Sequence, residues 1–155
     1  RATVETPPTI FATDPLLDGD LAGLNGMSVL PDQSALLAIV YRPARLVRVD
    51  LTTKKTTEVD IEGPFLDSTP LAGADGLTLF KGNAYVAFSN RFIQVVPKDA
   101  AWTQAISSAI DDVPEGLTDV VATPNGLYLL NGQSIAFALN TTPKPFALKL
   151  FDSFF

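Results

Sequence analysis

A phrase of eight residues, Gly23-Leu24-Asn25-Gly26-Met27-Ser28-Val29-Leu30, returns fifty residues later as Gly73-Ala74-Asp75-Gly76-Leu77-Thr78-Leu79-Phe80. A looser copy follows as Pro114-Glu115-Gly116-Leu117-Thr118-Asp119-Val120-Val121. Each copy sets a polar oxygen-bearing residue and a glycine near a short apolar stretch, followed by a turn and a second, more hydrophobic stretch. Self-similarity at a spacing of about 40–50 residues marks a repeat architecture, in which no unit buries its apolar face alone.

The stretches between the phrases read as strands. After the first copy, 27–30 is a short strand and Pro31-Asp32-Gln33-Ser34 a turn. Residues 35–41 are continuously apolar, as expected for a strand covered on both faces. Residues 45–51 alternate more openly, and 56–61 alternate fully as a half-exposed strand. The second copy predicts strands at 77–80, 84–88 and 91–96, with an outer element at 102–110 that is either a strand or a helical turn. The third predicts 119–122, 127–130 and 134–139, then 141–145 and 146–151. Ahead of the repeats, 2–12 reads as one strand broken by Pro7-Pro8, which suits an edge position, and 14–20 as a loop. No segment holds a 3.6-residue apolar period over three turns, so no α-helix is expected.

The expected fold is therefore all-β: three β-propeller blades of four antiparallel strands at 23–72, 73–113 and 114–155, preceded by an outer strand and loop at 1–22. A single β-sandwich also has many short strands. The apolar second strand of each unit favours the propeller, because neighbouring blades cover both faces whereas sandwich strands alternate.

Composition removes much chemistry. The 155 residues, 46% hydrophobic and 18% charged, suffice for one folded domain. Net charge is −6 with no run of Lys or Arg, which argues against nucleic-acid binding. No apolar stretch approaches the roughly 20 residues that span a bilayer, so a soluble chain with no membrane partner is expected. There is no Cys and no His. Disulfides, thiolate nucleophiles, zinc-thiolate centres, Ser-His-Asp triads and imidazole acid–base catalysis are therefore excluded for this chain alone. A site must use oxygen ligands, carboxylates, Lys, Tyr or Arg, and oxygen-only sites favour hard cations. Asn140-Thr141-Thr142 is a glycosylation sequon, which has meaning in a secreted or extracellular protein; a soluble cytoplasmic location is the other expectation.

Leu24-Asn25-Gly26-Met27 and Ala74-Asp75-Gly76-Leu77, with Arg45-Leu46-Val47-Arg48-Val49-Asp50, Leu127-Tyr128-Leu129-Leu130 and Phe146-Ala147-Leu148, resemble the SMP-30/gluconolactonase family, including its calcium-dependent phosphotriesterase-like members. The resemblance covers nearly the whole chain. It implies a six-bladed propeller of which this chain is the C-terminal half. It also implies that Asn25 and Asp75, at the mouth of the central tunnel, ligate Ca2+ or another divalent cation. Asp75 would further be the base that activates water or a substrate hydroxyl for lactone opening. The family's two remaining ligands, a glutamate and an asparagine, would lie in the missing half. In the third copy, counting back from Tyr128 sets Thr118 level with Asp75, while matching the glycines sets Glu115 there. Thr118 is read as pocket lining and Glu115 as rim. Asp119 either approaches the axis or satisfies backbone amides.

A half ring exposes the apolar faces of its first and last blades, at about 12 kcal/mol for each 500 Å² or so left uncovered. A partner is therefore expected, either a second copy or a separate chain that supplies the other blades. The apolar end Phe151-Asp152-Ser153-Phe154-Phe155 is expected to pack against it. Trp102, Phe88 and Phe92 read as packing between blades, and Lys54-Lys55, Arg42, Arg45 and Arg48 as surface charge. The leading function is a metal-dependent lactone or ester hydrolase acting on a small molecule, completed by a second chain. The alternative is a non-catalytic propeller for binding or assembly, with a degenerate metal site.

Overall fold

The computed structural model describes residues 9–20, 23–66, 73–132, 139–142 and 147–151. Those residues are all-β, with twelve strands, two 3-10 turns and no α-helix. A first sheet is antiparallel in the order β1 (Leu24–Val29), β2 (Ala35–Val40), β3 (Arg45–Asp50), β4 (Thr56–Glu58). The second sheet runs from β6 (Ala74–Phe80) through β7 (Asn83–Phe88) and β8 (Arg91–Pro97) to β9 (Gln104–Ile110), with β5 (Asp60–Glu62) parallel on the far side of β9. A third sheet holds β10 (Leu117–Thr123), β11 (Gly126–Asn131) and β12 (Ala147–Phe151). Among the described residues no sheet closes on itself.

The two-sided burial of the second strands explains their composition. On β2, Leu37 and Ile39 pack toward the second sheet, while Ala38 and Val40 join Val47 under Leu16 and Leu17 on the other face. On β7, Ala84, Val86 and Phe88 face the first sheet, and Tyr85 and Ala87 face the third. Phe88 and Trp102 pack in the first inter-sheet core and Phe92 in the second. A strand with apolar neighbours on both faces has no position where a polar side chain stays solvated.

The strand expected at 56–61 divides. Val59 donates its amide to Leu46 O at 2.9 Å and so stays with the first sheet, while Asp60 donates to Thr103 O at 3.1 Å and starts β5 in the second. One residue of backbone thus stitches two sheets together. Gly63 and the turn Pro64–Leu66 follow, and Phe65, fully buried, plugs the space between the two sheets with its ring edge-on to Phe88, centroids 5.7 Å apart. Ser107 Oγ accepts from Phe65 N, and the Arg91 guanidinium donates to Pro64 O and Phe65 O while stacked on Phe88. The turn Pro15–Leu17 repeats this device ahead of the first sheet: Leu16 and Leu17 cover its outer face, and Arg45 donates to Leu16 O and Asp18 O.

Three other expectations change. Residues 9–12 form no strand, and the rest of the strand expected at 2–12 lies outside the described residues. The outer element at 102–110 is a strand that begins at Gln104, because Trp102 turns the chain with a φ of 56° and buries its ring. In the third sheet β12 pairs directly with β11, so 147–151 occupies the third-strand place assigned to 134–139. Residues 134–138, 143–146 and 152–155, including most of the apolar end, lie outside the described residues.

Candidate functional site

The three phrase copies form β1, β6 and the start of β10, which run side by side with β6 in the middle. Each of these strands carries a β-bulge against its hairpin partner at the same place: between Leu24 and Met27, between Ala74 and Leu77, and between Leu117 and Asp119. Bulges re-aim side chains and break the strict alternation of a strand. Here they turn Asn25, Asp75 and Thr118 toward a shared groove. Register decides the third copy: Val86 pairs with Leu77 and Leu129 with Val120, so an offset of 43 carries Asp75 onto Thr118 and Gly76 onto Asp119. Glu115 lies two residues before β10, exposed and not among the groove-lining residues.

The glycines of the phrase serve the approach of one first strand to the next. A Cβ on Gly26 would lie 2.8 Å from Asp75 O and 2.9 Å from Gly76 C, and closer still to Leu77 N. A Cβ on Gly76 would collide with Asp119 Cα and Oδ1 and stand 2.9 Å from Val120 N. Backbone hydrogen bonds also join neighbouring sheets near the starts of β6 and β10. Ala74 donates to Tyr41 O at 3.0 Å, and Gly116 donates to Ser89 O at 2.6 Å.

The groove has a volume of about 460 Å³ and spans all three strands. Asn25 Nδ2 donates to Asp75 Oδ1 at 2.6 Å across the β1–β6 boundary. Asp119 also lines the groove and accepts a bond from its neighbour's amide, Val120 N, at 2.8 Å. Thr118 lines the groove and donates to Leu130 O. Burial pushes the Asp75 carboxyl above its ordinary value; the Asn25 amide opposes the shift, and the negative charge of Asp119 adds to it. No lining residue is cationic. Ser28 and Thr78 also line the groove, between the apolar lips Met27 and Val121. Their signal was present in the sequence, since Ser28, Thr78 and Val121 stand three residues after Asn25, Asp75 and Thr118.

Asn140 is exposed in a turn with a φ of 52°, a conformation that asparagine tolerates. Among the described residues no helix is long and apolar enough to cross a membrane. Nor, among them, do three or more acidic, histidine or cysteine side chains converge on one point. Asp75, Asp119 and the Asn25 amide oxygen are of the donor type that hard cations take, fewer in number than a complete calcium shell. Compared with protein-family models and with curated proteins, the chain matches none.

The raised Asp75 pKa has a definite linkage. The folded state holds this proton more tightly than the unfolded state, so the group's contribution to stability falls as pH rises from 3.8 through the raised folded value. Asp75→Asn removes that slope. Urea unfolding at pH 4 and pH 7 should show the variant gaining on the wild type as pH rises, and a constant difference would refute the linkage.

Proposed function

We propose that the three sheets are successive blades of a propeller and that the groove across their first strands is half of the active site of a metal-dependent lactone or ester hydrolase. The observation that carries this reading is a half-buried carboxylate, Asp75, held by Asn25 beside a second carboxylate, with no cationic side chain among the described residues that line the groove. Such a site destabilises its own negative charge, and a hard divalent cation relieves it. Asn25, Asp75 and Asp119 would hold the cation, and a second chain would add the remaining donors. When bound, calcium or a similar cation increases the acidity of water and stabilises an oxyanion.

Asp75 is the proton acceptor in this scheme, with a pKa shifted toward neutrality as suits a base. It takes the proton from water as the water oxygen attacks the carbonyl carbon of the ester. The carbonyl–alkoxy bond then breaks, the alkoxide leaves with that proton, and the products are an acid and an alcohol, joined in one molecule when the substrate is a lactone. Asn25 orients Asp75 through its Nδ2 bond, while the hydroxyls of Ser28, Thr78 and Thr118 line the substrate path. Two carboxylates and no cationic side chain suit a neutral substrate and favour release of an anionic product.

Calcium titration followed by thermal unfolding tests the site. A ligand of the folded state alone raises the midpoint, and Asp75→Ala should abolish the rise. No rise in the wild-type protein would remove the metal from the scheme. A rise without hydrolysis of neutral lactones or aryl esters would instead support a non-catalytic binding module, a reading favoured by the small number of converging ligands among the described residues.

A further inference from the structure

The ladder between β3 and β4 pairs Val47 with Glu58 and Val49 with Thr56, so its continuation would set Asp60 opposite Arg45. That pair is never made. After Val59 the chain leaves for the second sheet, where Asp60 pairs with Gln104 instead. A cleft of about 260 Å³ opens where the strands part, lined by Arg45, Glu58, Val59, Asp60 and Ile61, with buried Phe65 at its base. Four successive residues, 58–61, share this cleft, which the alternation of an unbroken strand would forbid. The charges on its walls are unspent. Glu58 and Asp60 are exposed carboxylates, and Arg45 is half-buried. Among the described residues none of the three makes an ion pair. Arg45 donates through Nη2 to Leu16 O and Asp18 O, which hold the guanidinium in place without neutralising it, and Nε has no partner.

We propose that this cleft binds a free α-amino acid with an apolar side chain. A cation and two anions held apart on the walls of one cleft favour a ligand that carries both signs. The ligand's carboxylate faces the Arg45 guanidinium, its ammonium lies by Glu58 and Asp60, and its side chain rests on Val59 and Ile61. The volume lies below the ~300–1,000 Å³ of sites for drug-sized molecules, which suits so small a ligand. Its two charges complete the bridge that the strand register implies and the chain's departure leaves open, and so join the first sheet to the second. The cleft shares no lining residue with the groove over the first strands, and the proposal stands whether or not that groove hydrolyses esters.

Titration of the full chain with L-leucine, followed by the backbone amide NMR shifts of residues 58–61, tests the site. Those shifts should move and saturate at millimolar leucine or below. Isoamylamine and isovalerate keep the apolar body with one charge each, and each should bind about two- to fivefold more weakly, the worth of one exposed charge pair. Glycine keeps both charges without the body and should also bind more weakly. Glu58→Gln combined with Asp60→Asn, at two exposed positions, should weaken leucine by a similar factor and strengthen isovalerate. Leucinamide, which has the ammonium but no carboxylate, separates a free amino acid from the first residue of a peptide and should bind more weakly than leucine. No saturable shift at 58–61 would overturn the proposal. So would isoamylamine, isovalerate, glycine or leucinamide binding as tightly as leucine, or a double variant with unchanged affinity for leucine.

Discussion

Phe65→Ala should lower the unfolding free energy by about 3–5 kcal/mol, the range for removing a fully buried aromatic ring without full collapse of the space. The ring is completely enclosed between the first two sheets, edge-on to Phe88. Its backbone is fixed on both sides, with the amide on Ser107 Oγ and the carbonyl on the Arg91 guanidinium, so the surrounding turn has little freedom to close the cavity. That loss is a large share of the 5–15 kcal/mol typical of a domain. Chemical denaturation of the variant measures it directly, and a loss below about 1 kcal/mol would mean that the turn is not the wedge between the sheets. Phe65→Leu, which keeps most of the volume, should recover the greater part.

Gly76→Ala should cost about 1–3 kcal/mol, the usual penalty for forcing an added methyl group into a packed interior, and Gly26→Ala should behave alike. At both positions the new carbon meets the backbone of the next first strand, which no rotamer change relieves. The groove should respond as well: Gly26→Ala pushes β1 from β6 and stretches the Asn25–Asp75 hydrogen bond of 2.6 Å, and Gly76→Ala pushes β6 from β10 and parts Asp75 from Asp119. The variants should therefore lose the calcium-dependent rise in unfolding midpoint along with stability. A variant with wild-type stability would show that the first strands are not held at backbone contact. Asp119 is the internal comparison: it bears a side chain at the equivalent place, and among the described residues no further first strand lies beside β10 there.

Much of the groove was legible before any coordinates. The fifty-residue return of the phrase placed Asn25 and Asp75 at equivalent positions, and equivalent positions on neighbouring strands meet. The third copy was not legible to the same degree. Its glycine, Gly116, belongs to the turn before β10 and has a φ of 78°, so aligning glycines points to Glu115 although strand register selects Thr118. Sequence similarity matched residue types, whereas the ladder matched residues by the partners across from them.

The sequence by itself determined the class of the fold, since short apolar strands between turn residues, with no helical period, leave only sheets to bury them. It also determined where the hairpins of the first two sheets and the β10–β11 hairpin lie, because those contacts are local and the turn chemistry is written between the strands. Only the tertiary structure decided that Val59 and Asp60 part company between two sheets, that β12 takes the third place beside β11, and that the phrase glycines exist for backbone contact. The physical reason is common to all three. A strand's pattern records how much of each face is covered, and the identity of what covers it is settled by segments far away in the chain.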